Sequence, residues 1–547
     1  MRKLHLFLFT IYYMKVIQIV NRIYRKYKKI TYLECPNELK ILDNNQYIKL
    51  EALDNAIIDS QNVTFLNETG KILDWDNKTK PLLWLYNLHY FDYLNARGCS
   101  EKHQLNQKII SHWVEHNKFN TGVGWEPYPL SLRIVNWIKF HWSEEALPEK
   151  AIESLWSQSN VLSQKLEYHL LGNHLFANAK ALIFAGSFFN CKESQKWLAT
   201  GLKIITAELN EQVLSDGANF ELSPMYHNII LTDMLDLVNL ANSTNKEDLM
   251  SKVDGWQSII TKMLHWGQSM SHPDGKVSFF NDSAFGIAPD IKVLHKYSKA
   301  LALTTKELKN TTVPTKGIDH FTFHKNSGYA VVSNSTFKAI LDMARVGPDY
   351  LPGHAHADTL SFEISHGSQR LFVNSGTSLY GVTDERLRQR KTVSHNTLSI
   401  DGLDSSEVWS GFRVARRAYP TVKKVEINES YLQIVCSHNG FKRLKGNPIH
   451  QRSWKFNQSS VEVKDEVLGP HRSCQSHFHL HPDIKVERIS KSEVHLILPN
   501  HEKVVFSSIG EVEILNTTWH PEFGISIPNV KLVCTLINNQ NTVFVRF

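Results

Sequence analysis

The sequence predicts an α+β chain of more than one domain, an incomplete α/α toroid followed by an antiparallel β-sandwich, and three observations carry that prediction. Between residues 80 and 303, segment after segment shows apolar residues at three- and four-residue intervals, separated by short turns, as packed helical hairpins require. After a polar stretch at 304–317 containing Pro314, the pattern changes to short runs of strand composition, among them 328–334, 337–343, 360–364, 430–436, 461–467 and 543–547. The chain has 547 residues, too many for one core, and its 42% hydrophobic and 21% charged residues supply enough core for several layers. The expected division is a lead-in at 1–79, the toroid at 80–303, a linker at 304–317 and the sandwich at 318–547.

The elements follow in order. Arg2 and Lys3 precede an apolar run to Met14 with no small-residue cleavage site after it, so the run reads as a retained segment. From Lys15 to Lys29, Val16, Ile17, Ile19, Val20, Ile23 and Tyr24 recur at helical spacing beside Arg22, Arg25, Lys26, Lys28 and Lys29. This is a basic amphipathic helix, whose apolar side either docks on the body of the protein or makes a peripheral contact with a membrane surface. No stretch reaches the roughly 18 apolar residues of a spanning helix. Helices are expected at 101–117, 131–142, 150–171, 174–189, 193–213, 224–242, 249–270 and 291–303. The 224–240 stretch is apolar nearly all round and reads as an inner helix. Asp216-Gly217, Pro224 and Pro273-Asp274-Gly275 punctuate the series.

Chemistry concentrates at 353–402, in GHAHADTLSFEISHGSQRLFVNSGTSLYG and RQRKTVSHNTLSIDG. His354, His356 and Asp358 alternate, so on a strand or extended loop they share one face. SFEIS and RLFVNSG read as paired strands turning at His366-Gly367-Ser368, and a third strand at 396–400 follows His395. Any one of these histidines could simply pack, but four ionisable groups around tight strands point to a site.

Other classes are excluded or left weak. A net charge of +7 is a mild excess for 547 residues and reads as suiting a polyanionic partner rather than as a nucleic-acid footprint. Six scattered cysteines form no CxxC pair, and there is no GxSxG, HExxH or Walker sequence. A glycoside hydrolase on an α/α toroid would need two flanking carboxylates, for which Glu126, Glu221 and Asp282 are available.

These motifs, with LGNHLFANAKALIFAG, DGANFELSPMYHNIIL and GWEPYPLSLRIVNW in the helical half, resemble the heparinase II/III family, in the variants linked to bacterial surface-polysaccharide loci. The resemblance implies a polysaccharide lyase that cleaves uronic-acid polymers by β-elimination, with an acidic polysaccharide as partner, no nucleic acid and no organic cofactor. It also implies a periplasmic setting, although the N-terminus carries no clean signal. Such a reaction needs a neutraliser for the uronate carboxylate, a base for the C5 proton and an acid for the departing O4. Asn173 matches the neutraliser, and Tyr226 and His354 match the acid–base pair. Tyr226 would serve as a base only with a cationic neighbour, for which His227, Arg133 and His354 are candidates.

The resemblance further implies a structural zinc on His356, His395 and a third position occupied here by Asn374 where an aspartate is expected. A neutral amide should weaken such a site. The groove is expected to present Trp84, Tyr90, Trp125, Tyr128, Arg133, His174 and His227 to the sugar, with Arg386, Arg388, Arg390, Arg413, Arg416 and Arg417 extending the positive surface. A scaffold that binds polysaccharide with weak activity remains open, with Asn374 as its hint.

Overall fold

The computed structural model describes residues 2–44, 46–303 and 315–547. Most of the expected linker lies outside the described residues. Helices occupy His103–His116, Pro127–Ser143, Glu149–Gln164, Gly172–Phe188, Lys192–Gln212, Pro224–Thr244, Val253–Ser269 and Ile291–Ala300. One core draws on all of them, from Tyr47 to Leu303. Gly172–Phe188 and Pro224–Thr244 are buried on nearly every side, as the inner helices of a toroid must be.

Two helices are shorter than their periodicity predicts. The one expected to run to 171 stops at Gln164, because the Glu167 N–H is taken by the Asn178 side chain (2.8 Å) and Leu171 adopts φ 67°, ψ −157°. The other expected helix, 249–270, is interrupted at Ser251 and Lys252, leaving a four-residue turn of helix before Val253.

Among the described residues, every strand pair of the second half is antiparallel, and a single isolated bridge, Gly376 to His520, is parallel. A five-stranded sheet runs in chain order from His320–His324 to Gln369–Phe372. It abuts a four-stranded sheet through a bridge between Phe372 and Leu480. Both pack on an eight-stranded sheet, in which Ile449–Phe456 buries every second residue. Their shared core includes Val332, Leu341 and Phe362, then Phe478 and Leu532, then Ile434, Trp454 and Phe506. The hairpin Phe362–His366/Gln369–Phe372 turns where the sequence predicts. The third expected strand is Leu398–Ile400, and it pairs with Cys474–His479 in the other sheet.

Candidate functional site

The segment 351–360 is extended loop and not strand, yet its alternation holds. His354, His356 and Asp358 all reach across to the toroid. Ala355 and Ala357 pack the opposite way, with Val346, Val408 and Val414. The receiving residues belong to two toroid loops, at 219–223 and 279–284.

His354 Nδ1 lies 2.5 Å from the Glu221 carboxylate. His356 Nε2 lies 2.8 Å from Asp282, and the Asp358 carboxylate accepts the Asn281 N–H at 3.0 Å. Asn281 returns the tie, its side chain accepting the His356 N–H and donating to the Leu222 carbonyl. Sequence reading missed this stitch: Asn281 carries no motif, and Asp282 was legible only as a candidate hydrolase carboxylate.

The same loops aim Tyr226. Ser223 caps the Pro224–Thr244 helix by accepting the Tyr226 N–H, and donates its hydroxyl to the Asp282 carbonyl at 2.5 Å. Such a cap stabilises by about 1 kcal/mol and fixes the first helical turn, where Tyr226 sits. Leu171 and Leu222 precede Asn173 and Tyr226 with φ of 67° and 59°, and Leu360 follows Asp358 with φ 64°. Positive φ in a leucine costs roughly 1–3 kcal/mol, a strain characteristic of functional loops. Gly172 has φ 57°, and a Cβ there would collide with Leu351, so the turn that sets Asn173 needs a glycine.

The Tyr226 and His354 rings stack, with centroids 3.8 Å apart and 17° between planes. The Tyr226 hydroxyl is 2.9 Å from that of Tyr380, a residue the sequence did not single out although it lies in the VNSGTSLYG segment. Burial, then the neighbouring Tyr380 and Tyr128, push the Tyr226 pKa well above the ordinary phenol value. Tyr226 is therefore protonated in the resting site, and no cation among the described residues offsets its burial as a role as base would require. Glu221 accepts the His354 Nδ1 proton, so in the neutral imidazole Nε2 is the bare nitrogen.

Asn173 pairs with Tyr128, whose ring lies 4.5 Å from His174 and 5.8 Å from Tyr90. Burial alone would lower the His174 pKa, but Glu167, 3.3 Å away, raises it. The structure thus gathers Asn173, His174, Tyr128, Tyr90, Tyr226, His354 and Tyr380 at the junction of the two halves.

Other sequence candidates lie elsewhere. Arg133 is fully buried, donating to Gln158, the His89 carbonyl and the Gly124 carbonyl, with Trp113 under its guanidinium. His227 is buried between the Asn219 N–H and the Met263 carbonyl. Trp84 donates to the Glu68 carbonyl from within the core, and Trp125 packs between Trp113 and Phe119. These four are packing residues, because aromatic and long polar side chains also fill the toroid's core. The expected arginine surface is largely internal or paired: Arg386 binds Asp282, Arg390 the Ala355 carbonyl, Arg416 Glu407, and Arg417 Asp349.

The hydrolase carboxylates are likewise committed. Asp282 is buried in a bidentate pair with Arg386, Glu221 holds His354, and Glu126 bonds the Tyr86 hydroxyl.

The metal triad can be tested on its donors. His395 Nδ1 faces the Lys391 carbonyl at 2.8 Å, so Nδ1 carries the proton and Nε2 is bare. His356 Nε2 faces the Asp282 carboxylate, so Nδ1 is bare. These two bare nitrogens lie 3.0 Å apart. Burial lowers both pKa values, that of His395 to about 4, so a shared proton is disfavoured and the pair suits a cation. Asn374 is less suited: its Oδ1 accepts the Asn396 N–H and its Nδ2 reaches Ser361 at 3.4 Å. No carboxylate or thiolate among the described residues completes a three-ligand set with the histidines. The one such set found, Glu51, Cys99 and Glu144, encloses the Lys49 ammonium.

Comparison with known proteins agrees with this architecture. The family model described as heparinase II/III N-terminus matches residues 37–307, and the one described as heparinase II/III-like, C-terminal, matches 319–543. The chain belongs to the heparinase II/III family. Its relatives include a heparin-sulfate lyase of Bacteroides stercoris, 28% identical over 57% of this chain and 46% of that protein. Another, from Bacteroides thetaiotaomicron, is 24% identical over 66% of this chain and 55% of that one. The chain thus spans about half the length of the curated relatives it matches. The crystal structure of heparinase III superposes over 97% of this chain and 89% of that one, with a TM-score of 0.70 at 18% identity. That of a heparan sulfate lyase from Pedobacter heparinus covers 87% and 78%, with a TM-score of 0.57 at 18% identity. These two likenesses establish the heparinase II/III fold.

Proposed function

We propose that this chain is a polysaccharide lyase that cleaves an acidic, uronic-acid-containing polymer by β-elimination, in bacterial surface-polysaccharide metabolism. The observation that carries the reading is the stacked Tyr226–His354 pair, one member protonated and the other presenting a bare nitrogen, beside Asn173. His354 Nε2 takes the C5 proton; the C5 electrons form the C4–C5 double bond as the C4–O4 bond breaks; and the Tyr226 hydroxyl protonates O4. Asn173 and Tyr128 receive the carboxylate on which charge accumulates, and His174, whose pKa Glu167 raises, adds positive charge to the groove when protonated. The heparin-sulfate lyase relatives support this class. Screening a panel of uronic-acid polysaccharides for a rise in ultraviolet absorbance tests it. A conjugated unsaturated uronate is expected from at least one polymer, and new non-reducing ends that are all saturated would overturn the reading.

Zinc belongs to the same proposal. His356 and His395 would hold it, with Asn374 as a weak third donor, and bound there it would fix the 353–358 loop against the strand that follows His395. Asn374→Asp supplies the missing anionic ligand and is expected to raise zinc content after dialysis and the melting temperature in zinc, with little change in turnover. If a chelator leaves the melting curves of wild type, Asn374→Asp and His356→Ala unmoved, the two imidazoles are a hydrogen-bonded pair without metal.

A further inference from the structure

The N-terminal segment folds as two helices, Arg2–Tyr12 and Val16–Tyr27, bent by 106° at their junction. Their attachment inverts the amphipathic arrangement expected of a docked helix. Gln18, buried, donates to the carbonyls of Leu170 and Tyr350. Lys15 pairs with Glu211 at 2.7 Å, and Arg25 lies 2.6 Å from His169. In the first helix, Thr10 accepts from Trp409 and Arg416 lies over Phe9, while Arg417 lies over Tyr13 just past the helix end. The polar side of the second helix therefore faces the protein, and its apolar side faces outward.

That outward side is extensive. Leu4 (63% exposed), Leu8 (57%), Tyr12 (78%), Val16 (74%), Val20 (55%), Ile23 (59%) and Tyr27 (74%) follow one another at three- and four-residue spacing along the two helices. Of the 31 large hydrophobic residues exposed among the described residues, 12 fall within the first 27 positions, so this is a patch and not scatter. The first 33 residues contain eight Lys and Arg and no Asp or Glu. Lys26, Lys28 and Lys29 stand together at the end of the second helix, beside exposed Tyr24 and Tyr27. Among the described residues, no single helix is long and apolar enough to cross a membrane. Two helices of 11 and 12 residues reach about 16–18 Å each, short of the roughly 30 Å hydrocarbon layer.

We propose that this helix pair binds the surface of an anionic lipid bilayer. The apolar faces enter the headgroup boundary, and Lys26, Lys28 and Lys29 pair with lipid phosphates. The basic charge selects this occupant: a second copy of the chain would bring the same cations to the interface, whereas an anionic bilayer neutralises them and accepts the apolar face. The binding does not rest on the lyase reading. If that reading holds, docking keeps the cleft beside the membrane, since the Leu170 and Tyr350 carbonyls that hold Gln18 adjoin Asn173 and His354 in sequence.

Co-sedimentation of the full chain with vesicles tests the proposal, without substrate. Partitioning onto phosphatidylcholine vesicles containing phosphatidylglycerol is expected to exceed that onto phosphatidylcholine alone by about 10-fold or more, and to fall with added salt. Val20→Asp with Ile23→Asp, and separately Lys26→Glu with Lys28→Glu and Lys29→Glu, should each lower it by about 10-fold or more at an unchanged melting temperature. Equal partitioning onto both vesicle types, or none, overturns the proposal. So does a concentration-dependent dimer that Val20→Asp dissolves while vesicle binding is absent.

Discussion

Replacing Tyr226 by Phe, or His354 by Ala, is expected to lower turnover on a cleaved polysaccharide by about 100-fold or more, the loss that follows removal of a positioned proton carrier. The two changes act on different parts of the pair. Tyr226→Phe removes only the hydroxyl, so the ring still stacks at the position seen 3.8 Å from His354, and substrate binding should be nearly retained. His354→Ala removes the bare nitrogen and also leaves the buried Glu221 carboxylate without its partner, so a modest loss of stability accompanies it. Steady-state kinetics with a melting curve for each variant separate the effects. If both variants keep near-normal turnover, the roles given to these residues are wrong.

The largest effect on stability is expected at Asp282. Its carboxylate is fully buried, accepts two bonds from Arg386, one from His356 and one from Thr377. Burial alone would raise its pKa, but the Arg386 guanidinium and the His356 imidazole hold it far below the usual carboxylate range. Asp282→Ala strands the Arg386 charge in the interior and should cost about 3–5 kcal/mol. The partly exposed Glu407–Arg416 pair provides the contrast, since Glu407→Ala should cost about 1 kcal/mol or less. Because the folded-state pKa is depressed, the Asp282 contribution is present above the unfolded carboxylate pKa near 4 and is lost only as pH falls below it. Urea unfolding of wild type and both variants checks the ranking.

The architecture was legible because periodicity is a local property. The switch from three- and four-residue spacing to short β-branched runs separates the halves without any tertiary information. The alternation of His354, His356 and Asp358 foretold one shared face, and it survives although the segment is a loop. What local pattern cannot supply is the destination of a side chain. Arg133 and Trp125 share the composition of a sugar groove, and the toroid uses both to fill its own interior. Tyr380 and Glu221 complete the Tyr226–His354 pair from about 150 and 130 residues away from their partners. Only the assembled loops bring them together. The N-terminal helix shows the same limit: its hydrophobic stripe was visible, but which stripe meets the protein depended on carbonyls of Leu170 and Tyr350.

The most direct measurement is digestion of a cleaved uronic-acid polysaccharide in water enriched in heavy oxygen, with the products weighed by mass spectrometry and compared between wild type and Tyr226→Phe. Elimination at the Tyr226–His354 pair predicts unsaturated non-reducing ends and no solvent oxygen in any product, with near-complete loss of product formation in Tyr226→Phe. Heavy oxygen incorporated at the new reducing ends, or full product formation by Tyr226→Phe, would contradict it.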